Sequence, residues 1–221
     1  MPLSANEIAR HLDGIGLSED ECFGLAPRPS SAAIKEQGAA SIDLRLGTWF
    51  VVTKASRHSL LDIYVDQQPS EQNITDKHYV PLGSYFILHP HSFVLAGTLE
   101  WMRMPKGLCG YVTGKSSWGR RGLIIETAPG VHPGFAGCLT LELANVGEIP
   151  IKLVTGTTVC QLFLHKIVGD SSNIDQSSFL GQRQPRLGRI IPDDFVRSLM
   201  GSSSGIEKTG ADDTKSRRHP P

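Results

Sequence analysis

Between Gly114 and Leu123 the chain reads GKSSWGRRGL: a lysine and two adjacent hydroxyls flanked by glycines, then two adjacent arginines. Glycine lets backbone approach a ligand closely. Hydroxyls and backbone amides donate to oxyanions, and the arginine fork suits two-point contact with an anion. A phosphate cradle and a solvated polar turn fit these ten residues equally well. A nucleoside-triphosphate P-loop does not. That motif needs a glycine five positions before Gly114, where Cys109 stands, and it should open a helix, whereas RRGLIIETA continues as a strand.

Some twenty residues on, GCLTLELAN alternates with a period of two. Leu139, Leu141 and Leu143 face one way, and Thr140 and Glu142 the other. A lone strand glutamate ordinarily faces solvent; beside an arginine-and-serine loop it is also a candidate general base. Metal chemistry has less support. Cys22, Cys109, Cys138 and Cys160 form no C-x-x-C, so the familiar zinc frameworks are missing. His89 and His91 share a strand face, but no third ligand accompanies them, and HPH reads as a strand-end turn.

These residues must be held by short strands. From SIDLRLGTWFVV onward the segments SYFILHP, FVLAGTLEWMRM, LCGYVTG, LIIETA, CLTLELANV, IPIKLVTG and TVCQLFLHKI are β-branched or apolar and divided by Gly, Pro and Asn. That series predicts an all-β protein, a distorted barrel or jelly-roll-like sandwich. Before it, SANEIARHLDGIGL reads as a short helix, with Ser4 and Glu7 as a capping box and Gly14 as its stop. PRPSSAAIKEQGAA reads as a loop, and PDDFVRSLMG as one late helical turn. Residues 1–200 are expected to form a single domain. The polar tail 201–221 has too few apolar groups to offset its ordering entropy and is expected to be disordered.

Composition sets outer bounds. Of the 221 residues, 39% are hydrophobic and 20% charged, with 22 basic and 22 acidic side chains. No global field therefore favours a nucleic acid or an anionic membrane, and any anion site must be local. The N-terminal residues lack the layout of a signal peptide, and no apolar run approaches the roughly 20 residues of a membrane span. A cytoplasmic location is expected, with no nucleic acid or membrane as partner.

Taken together, GKSSWGRRGL, ETAPGVHPGFAGCLTLELANVG and SIDLRLG resemble the dCTP deaminase family of the deoxyuridine triphosphatase-like superfamily. The family pattern is a G-[RK]-S-S-x-x-R-x-G loop, a T-A segment, then P-G-[FWY]-x-G and a strand ending in L-E. All occur here in order, and the likeness runs from about Leu3 to Arg189, weakly between Thr53 and Val80. It implies a dUTPase-type β fold assembled as a homotrimer, with active sites between subunits. It implies a deoxycytidine nucleotide substrate and zinc-independent deamination of dCTP to dUTP and ammonia, feeding dUMP and dTTP synthesis.

Residue by residue, the resemblance makes Glu142 the catalytic base, with Ser116 and Arg120 placing the water and the pyrimidine. Lys115 and Ser117 match phosphate contacts. Thr140 and Leu141 match the strand beside the pyrimidine, and Thr127 and Ala128 the segment around its amino group. Gln182 matches a glutamine that closes over the triphosphate. No cofactor is implied for the chemistry, and Mg²⁺ would accompany the triphosphate. The H-x-E and P-C-x-x-C pieces of zinc deaminases are missing.

Three features depart from the family pattern. His132 stands where an aspartate usually bonds the sugar 3′-hydroxyl; an imidazole can still do so. Ser171 and Ser178 fall at about the positions of a phosphate-binding tyrosine and lysine. The T-A to P-G spacing is one residue short. Alternative readings are a dUTP diphosphatase, a bifunctional deaminase and diphosphatase, and a non-catalytic deoxynucleotide-binding regulator.

Overall fold

Period-two alternation is the rule along the strands. In Ile42–Thr53 the residues Ile42, Leu44 and Leu46 are buried while Asp43 and Arg45 are half-buried on the other face. In Ala136–Asn145, Leu139, Leu141 and Leu143 are buried and Glu142 is exposed. The computed structural model describes residues 1–54, 60, 62, 64, 70–126, 130–169, 181–188 and 190–203. They divide into two compact units, 1–55 with 71–187, and 56–70 with 188–221.

In the first unit the strands are β1 (Gly24–Ala26), β2 (Ile42–Thr53), β3 (Thr75–Tyr79), β4 (Tyr85–Leu88), β5 (Phe93–Arg103), β6 (Leu108–Gly114), β7 (Leu123–Glu126), β8 (Gly130–Val131), β9 (Ala136–Asn145), β10 (Ile151–Val154) and β11 (Thr158–Lys166). The main sheet runs β7-β9-β5-β2-β11-β6-β8, with β1 on β5 and β3 on β2, and every pairing is antiparallel. β4 and β10 form a separate ribbon. Although β6 and β7 stand far apart in that order, they touch. A Cβ on Gly114, the last residue of β6, would lie 3.0 Å from the Cβ of Ile125 on β7. The sheet therefore curls until β6 and β7 meet, as a distorted barrel does, and a larger residue at position 114 would press on Ile125. Leu44, Leu46, Phe50, Met102, Leu141, Leu143, Leu162 and Leu164 line the apolar interior.

Two helices precede the sheet. α1 (Ala5–Asp13) starts where the Ser4 hydroxyl accepts from the Glu7 N–H at 3.4 Å and stops at Gly14, whose φ is 69°. The Glu7 carboxylate turns to Arg10 at 3.3 Å. The segment expected as a loop carries a second helix, α2 (Ser31–Gln37). Its caps were present in the sequence: the Ser30 hydroxyl accepts from the Ala33 N–H, and Gly38 closes the end. Contacts between α1 and α2, with Ile34 buried, outweigh the local Pro and Ser signals that suggested a loop. Two shorter helices, α3 (Glu71–Ile74) and α4 (Ser116–Gly119), lie in connections.

In the second unit, PDDFVRSLMG exceeds the single turn expected and forms the ten-residue helix α5 (Asp194–Ser203). Residues 204–221 of the tail lie outside the described residues. Among the described residues no helix is long and apolar enough to cross a membrane.

Candidate functional site

β6 delivers the chain to Lys115, which caps α4 with extended backbone. The Lys115 N–H donates to the Val159 carbonyl at 3.0 Å, and its own carbonyl accepts from Trp118 and Gly119. Trp118 fixes the turn from below. Its indole N–H donates to the Thr158 carbonyl at 3.1 Å, and its ring packs on the apolar core. The loop is thus a rigid one-turn platform, and Ser116, Ser117 and Arg120 are exposed upon it. Arg121 turns back to the Ser117 carbonyl at 2.6 Å.

The lysine of this platform is not free. The Lys115 Nζ donates to both carboxylate oxygens of Asp43, at 3.0 and 2.8 Å, and Gln161 donates to the same carboxylate at 3.3 Å. Asp43 lies in the SIDLRLG strand, on the face opposite the buried Ile42 and Leu44. Its partner lies 72 positions away, beyond the reach of any local pattern.

Glu142 occupies the outward face of β9. Leu95 of β5 is opposite it on one side and Glu126 of β7 on the other. Glu126 is a second exposed carboxylate on that face, placed there by strand register and not flagged from the sequence. Thr140, two residues along, accepts from the Gln182 Nε2 at 2.6 Å. Gln182 lies along the margin of β9 that β7 leaves bare. The Gly181 N–H donates to the Ala136 carbonyl, and the Cys138 N–H to the Gln182 carbonyl. Gln182 is buried, and its Oε1 has no partner. Leu141 points into the core at 0% exposure, so only its backbone can meet a ligand on the Glu142 face. His132 is exposed in the turn after β8, its carbonyl accepting from the Phe135 N–H. Thr127, Ala128, Ser171 and Ser178 lie outside the described residues.

Within one chain the two halves stay apart. The α4 platform leads into β7 at Leu123, whereas Glu142 faces the far end of β7 at Glu126. The exit of the platform is thus three strand steps from Glu126, about 10 Å at roughly 3.3 Å per residue, while its entrance at Gly114 abuts Ile125. No hydrogen bond or ion pair joins Glu142 to Ser116 or Arg120 among the described residues. A cavity of about 170 Å³ between β2 and β5 is lined by Gly47, Trp49, Gly97, Thr98, Cys138 and Arg183, among others, but by none of Ser116, Arg120 and Glu142. His89 and His91 sit in an exposed turn, with the Ser92 N–H donating to the His89 carbonyl.

Comparison with known proteins adds what geometry cannot. The sequence profile of the family described as dCTP deaminase-like matches residues 19–167. A protein of Corynebacterium diphtheriae named "dCTP deaminase, dUMP-forming" is 39% identical over 152 residues, covering 66% of this chain and 79% of its own. One of the same name from Parafrankia sp. is 39% identical over 167 residues, covering 73% and 81%. A third, from Corynebacterium efficiens, is 35% identical over 184 residues, covering 83% and 88%. The crystal structure of a 2′-deoxycytidine 5′-triphosphate deaminase from Agrobacterium tumefaciens superposes with a TM-score of 0.53 at 19% identity. It covers 74% of this chain and 46% of that one, and shows the shared fold. With the loop, the strand and Gln182 all carried on this β fold, and the profile spanning more than half of its length, the chain belongs to the dCTP deaminase-like family.

Proposed function

We propose that this protein deaminates dCTP, with Glu142 as the general base. The observation that carries the reading is the placement of Glu142: outward from β9, beside Thr140, on a strand whose other face is sealed in the core. Glu142 would draw a proton from a water whose oxygen attacks C4 of cytosine. It would pass that proton to ring N3 and then assist departure of the amino group as ammonia. Ser116 and Arg120 would hold the water and the ring; Lys115 and Ser117 would hold phosphate. Mg²⁺ enters as part of the triphosphate substrate.

The separation of platform and base within one chain supports a site shared between copies. In a homotrimer, Ser116 and Arg120 of one subunit would meet Glu142 of the next. The relatives' common name supports dUMP as the end product: after deamination a second water attacks the α-phosphorus and pyrophosphate leaves. His132, in the aspartate's place, would then contact the sugar through its imidazole. A cytoplasmic site of action is part of this proposal.

Incubation of the full chain with dCTP and Mg²⁺, with ammonia, dUTP, dUMP and pyrophosphate separated, is the first test. Glu142→Gln should lower turnover by about 10²- to 10⁴-fold, the usual worth of a positioned base; survival within a few-fold removes Glu142 from that role. Mixing inactive Glu142→Gln with inactive Arg120→Ala should restore part of the activity through mixed trimers. If both single variants are dead and the mixture stays dead after subunit exchange, the shared site is wrong. Accumulation of dUTP without pyrophosphate would leave the deaminase and remove the second step.

A further inference from the structure

We infer that Asp43 is a positioning residue for the phosphate-binding lysine, holding the Lys115 ammonium so that one N–H is left for a phosphate oxygen. The inference rests on the reading of Lys115 as a phosphate contact and goes beyond it by naming what aims it. Register builds the arrangement. Gln161 on β11 is paired with Asp43 on β2 and with Thr113 on β6, so these three side chains form one row across three strands. Lys115, just past the end of β6, reaches back along that row to Asp43.

An ammonium has three hydrogens. The two carboxylate oxygens of Asp43 take two, at 3.0 and 2.8 Å. Gln161 donates to one of these same oxygens, Oδ1, at 3.3 Å and so holds the holder. The lysine backbone is already fixed by Val159, Trp118 and Gly119, so the flexible four-carbon stem is the part still to be ordered. Asp43 orders it before a ligand arrives, which reduces the conformational entropy lost on binding. The pair is open to solvent, at 28% and 35% side-chain exposure. Such a pair contributes little to folding, and its ammonium can be reached by an anion from outside. A carboxylate this close also repels phosphate. The inference commits to orientation as the stronger effect, because the cation lies between the carboxylate and the incoming anion.

The test is a double-mutant cycle read by equilibrium binding to the full chain, with dCTP and inorganic tripolyphosphate as probes. Lys115→Met should weaken both about tenfold, one charge-assisted hydrogen bond's worth. Asp43→Asn should weaken both about three- to tenfold with the melting temperature nearly unchanged, and Asp43→Glu should restore part of the loss. In the Lys115→Met background, Asp43→Asn should add less than about twofold, because its target is gone. Unchanged or tighter binding by Asp43→Asn overturns the inference, as does a loss that persists undiminished in the Lys115→Met background. If Asp43→Asn does not fold, Asp43→Glu is read in the same cycle. Two failures are distinguishable. Normal binding by Lys115→Met in a protein that turns over dCTP overturns Asp43's role and leaves the deaminase. A coupled cycle for tripolyphosphate in a protein that never turns over dCTP supports Asp43 and removes the deaminase.

Discussion

Two ion pairs leave the same face of β2, two residues apart, and they serve opposite ends. Arg45 pairs with Glu100 of β5, its Nε 2.6 Å from one carboxylate oxygen and its backbone N–H 2.8 Å from the other. The Glu100 side chain is 2% exposed, and the neighbouring irregularities in β2 and β5 are stitched by Thr98, which donates to the Glu100 carbonyl and accepts from the Leu139 N–H. Asp43 pairs with Lys115 under open solvent. In the first pair the carboxylate is sealed beneath a half-exposed guanidinium and fixes strand geometry; in the second both partners stay partly open. The two pairs are told apart by the burial of the carboxylate, 2% exposed in Glu100 and 35% in Asp43, not by distance. Between them sits Cys160, fully buried on β11, near enough to both that Glu100 and Asp43 raise its pKa and Lys115 lowers it.

The largest separation of the two should come from deleting each cation. Arg45→Met leaves the buried Glu100 carboxylate with only the Arg45 backbone N–H and should cost about 3 kcal/mol in a denaturant titration, the low end for a buried pair because the guanidinium is itself 39% exposed. Lys115→Met should cost less than about 1 kcal/mol in the same titration. Equal losses would dissolve the contrast.

A second effect is alkaline. Burial, helped by Glu100 and then Asp43, pushes the Cys160 thiol from 9.0 to about 12. The folded state keeps its proton where the unfolded state releases it. This contribution is thus complete below pH 9.0 and is lost as pH rises toward 12. At pH 11 the loss is about 3 kcal/mol, at roughly 1.4 kcal/mol per pH unit. Melts of wild type and Cys160→Val across this window should converge in slope at neutral pH and part above it; parallel curves would contradict the assignment.

The smallest effect lies at the α1–α2 pair. Asp13 is held below the ordinary carboxylate range, first by the Ser31 hydroxyl at 2.6 Å and then by Arg28. Its contribution is present above the usual carboxylate pKa and fades as pH falls through the lowered one. Ser31→Ala should lower stability slightly at neutral pH and leave it unchanged in strong acid, so that the variant and wild-type curves converge as pH falls, read by thermal melts from about pH 2 to 7.

Much of this architecture was legible in the chain. Alternation placed Leu139, Leu141 and Leu143 inside and Glu142 outside, and Ser4 and Gly14 marked α1, because both signals are written within a few neighbouring residues. α2 was missed although Ser30 and Gly38 bracket it, since its stability comes from packing Ile34 rather than from a strong local pattern. β1 and β8 were missed because strands of two or three residues carry too few alternations to stand out, and β3 because TDKHY has no apolar run and is exposed at four of its five residues. The platform residues were found through motif and order. Glu126 opposite Glu142 and Gln182 on Thr140 were out of reach, because each depends on which strands become neighbours and in what register.

The sequence by itself determined the strand character, the helix caps, the hydroxyl-and-guanidinium turn and the family that these motifs mark. All are short-range properties, repeated every two to four residues or held in contiguous runs. Only the tertiary structure decided that Asp43 would hold Lys115 across three strands, that the Glu100 carboxylate would be buried beside Arg45, and that Glu126 would stand opposite Glu142. The reason is physical. Side-chain partners across a sheet are set by register, and register is settled by burying the whole apolar face at once.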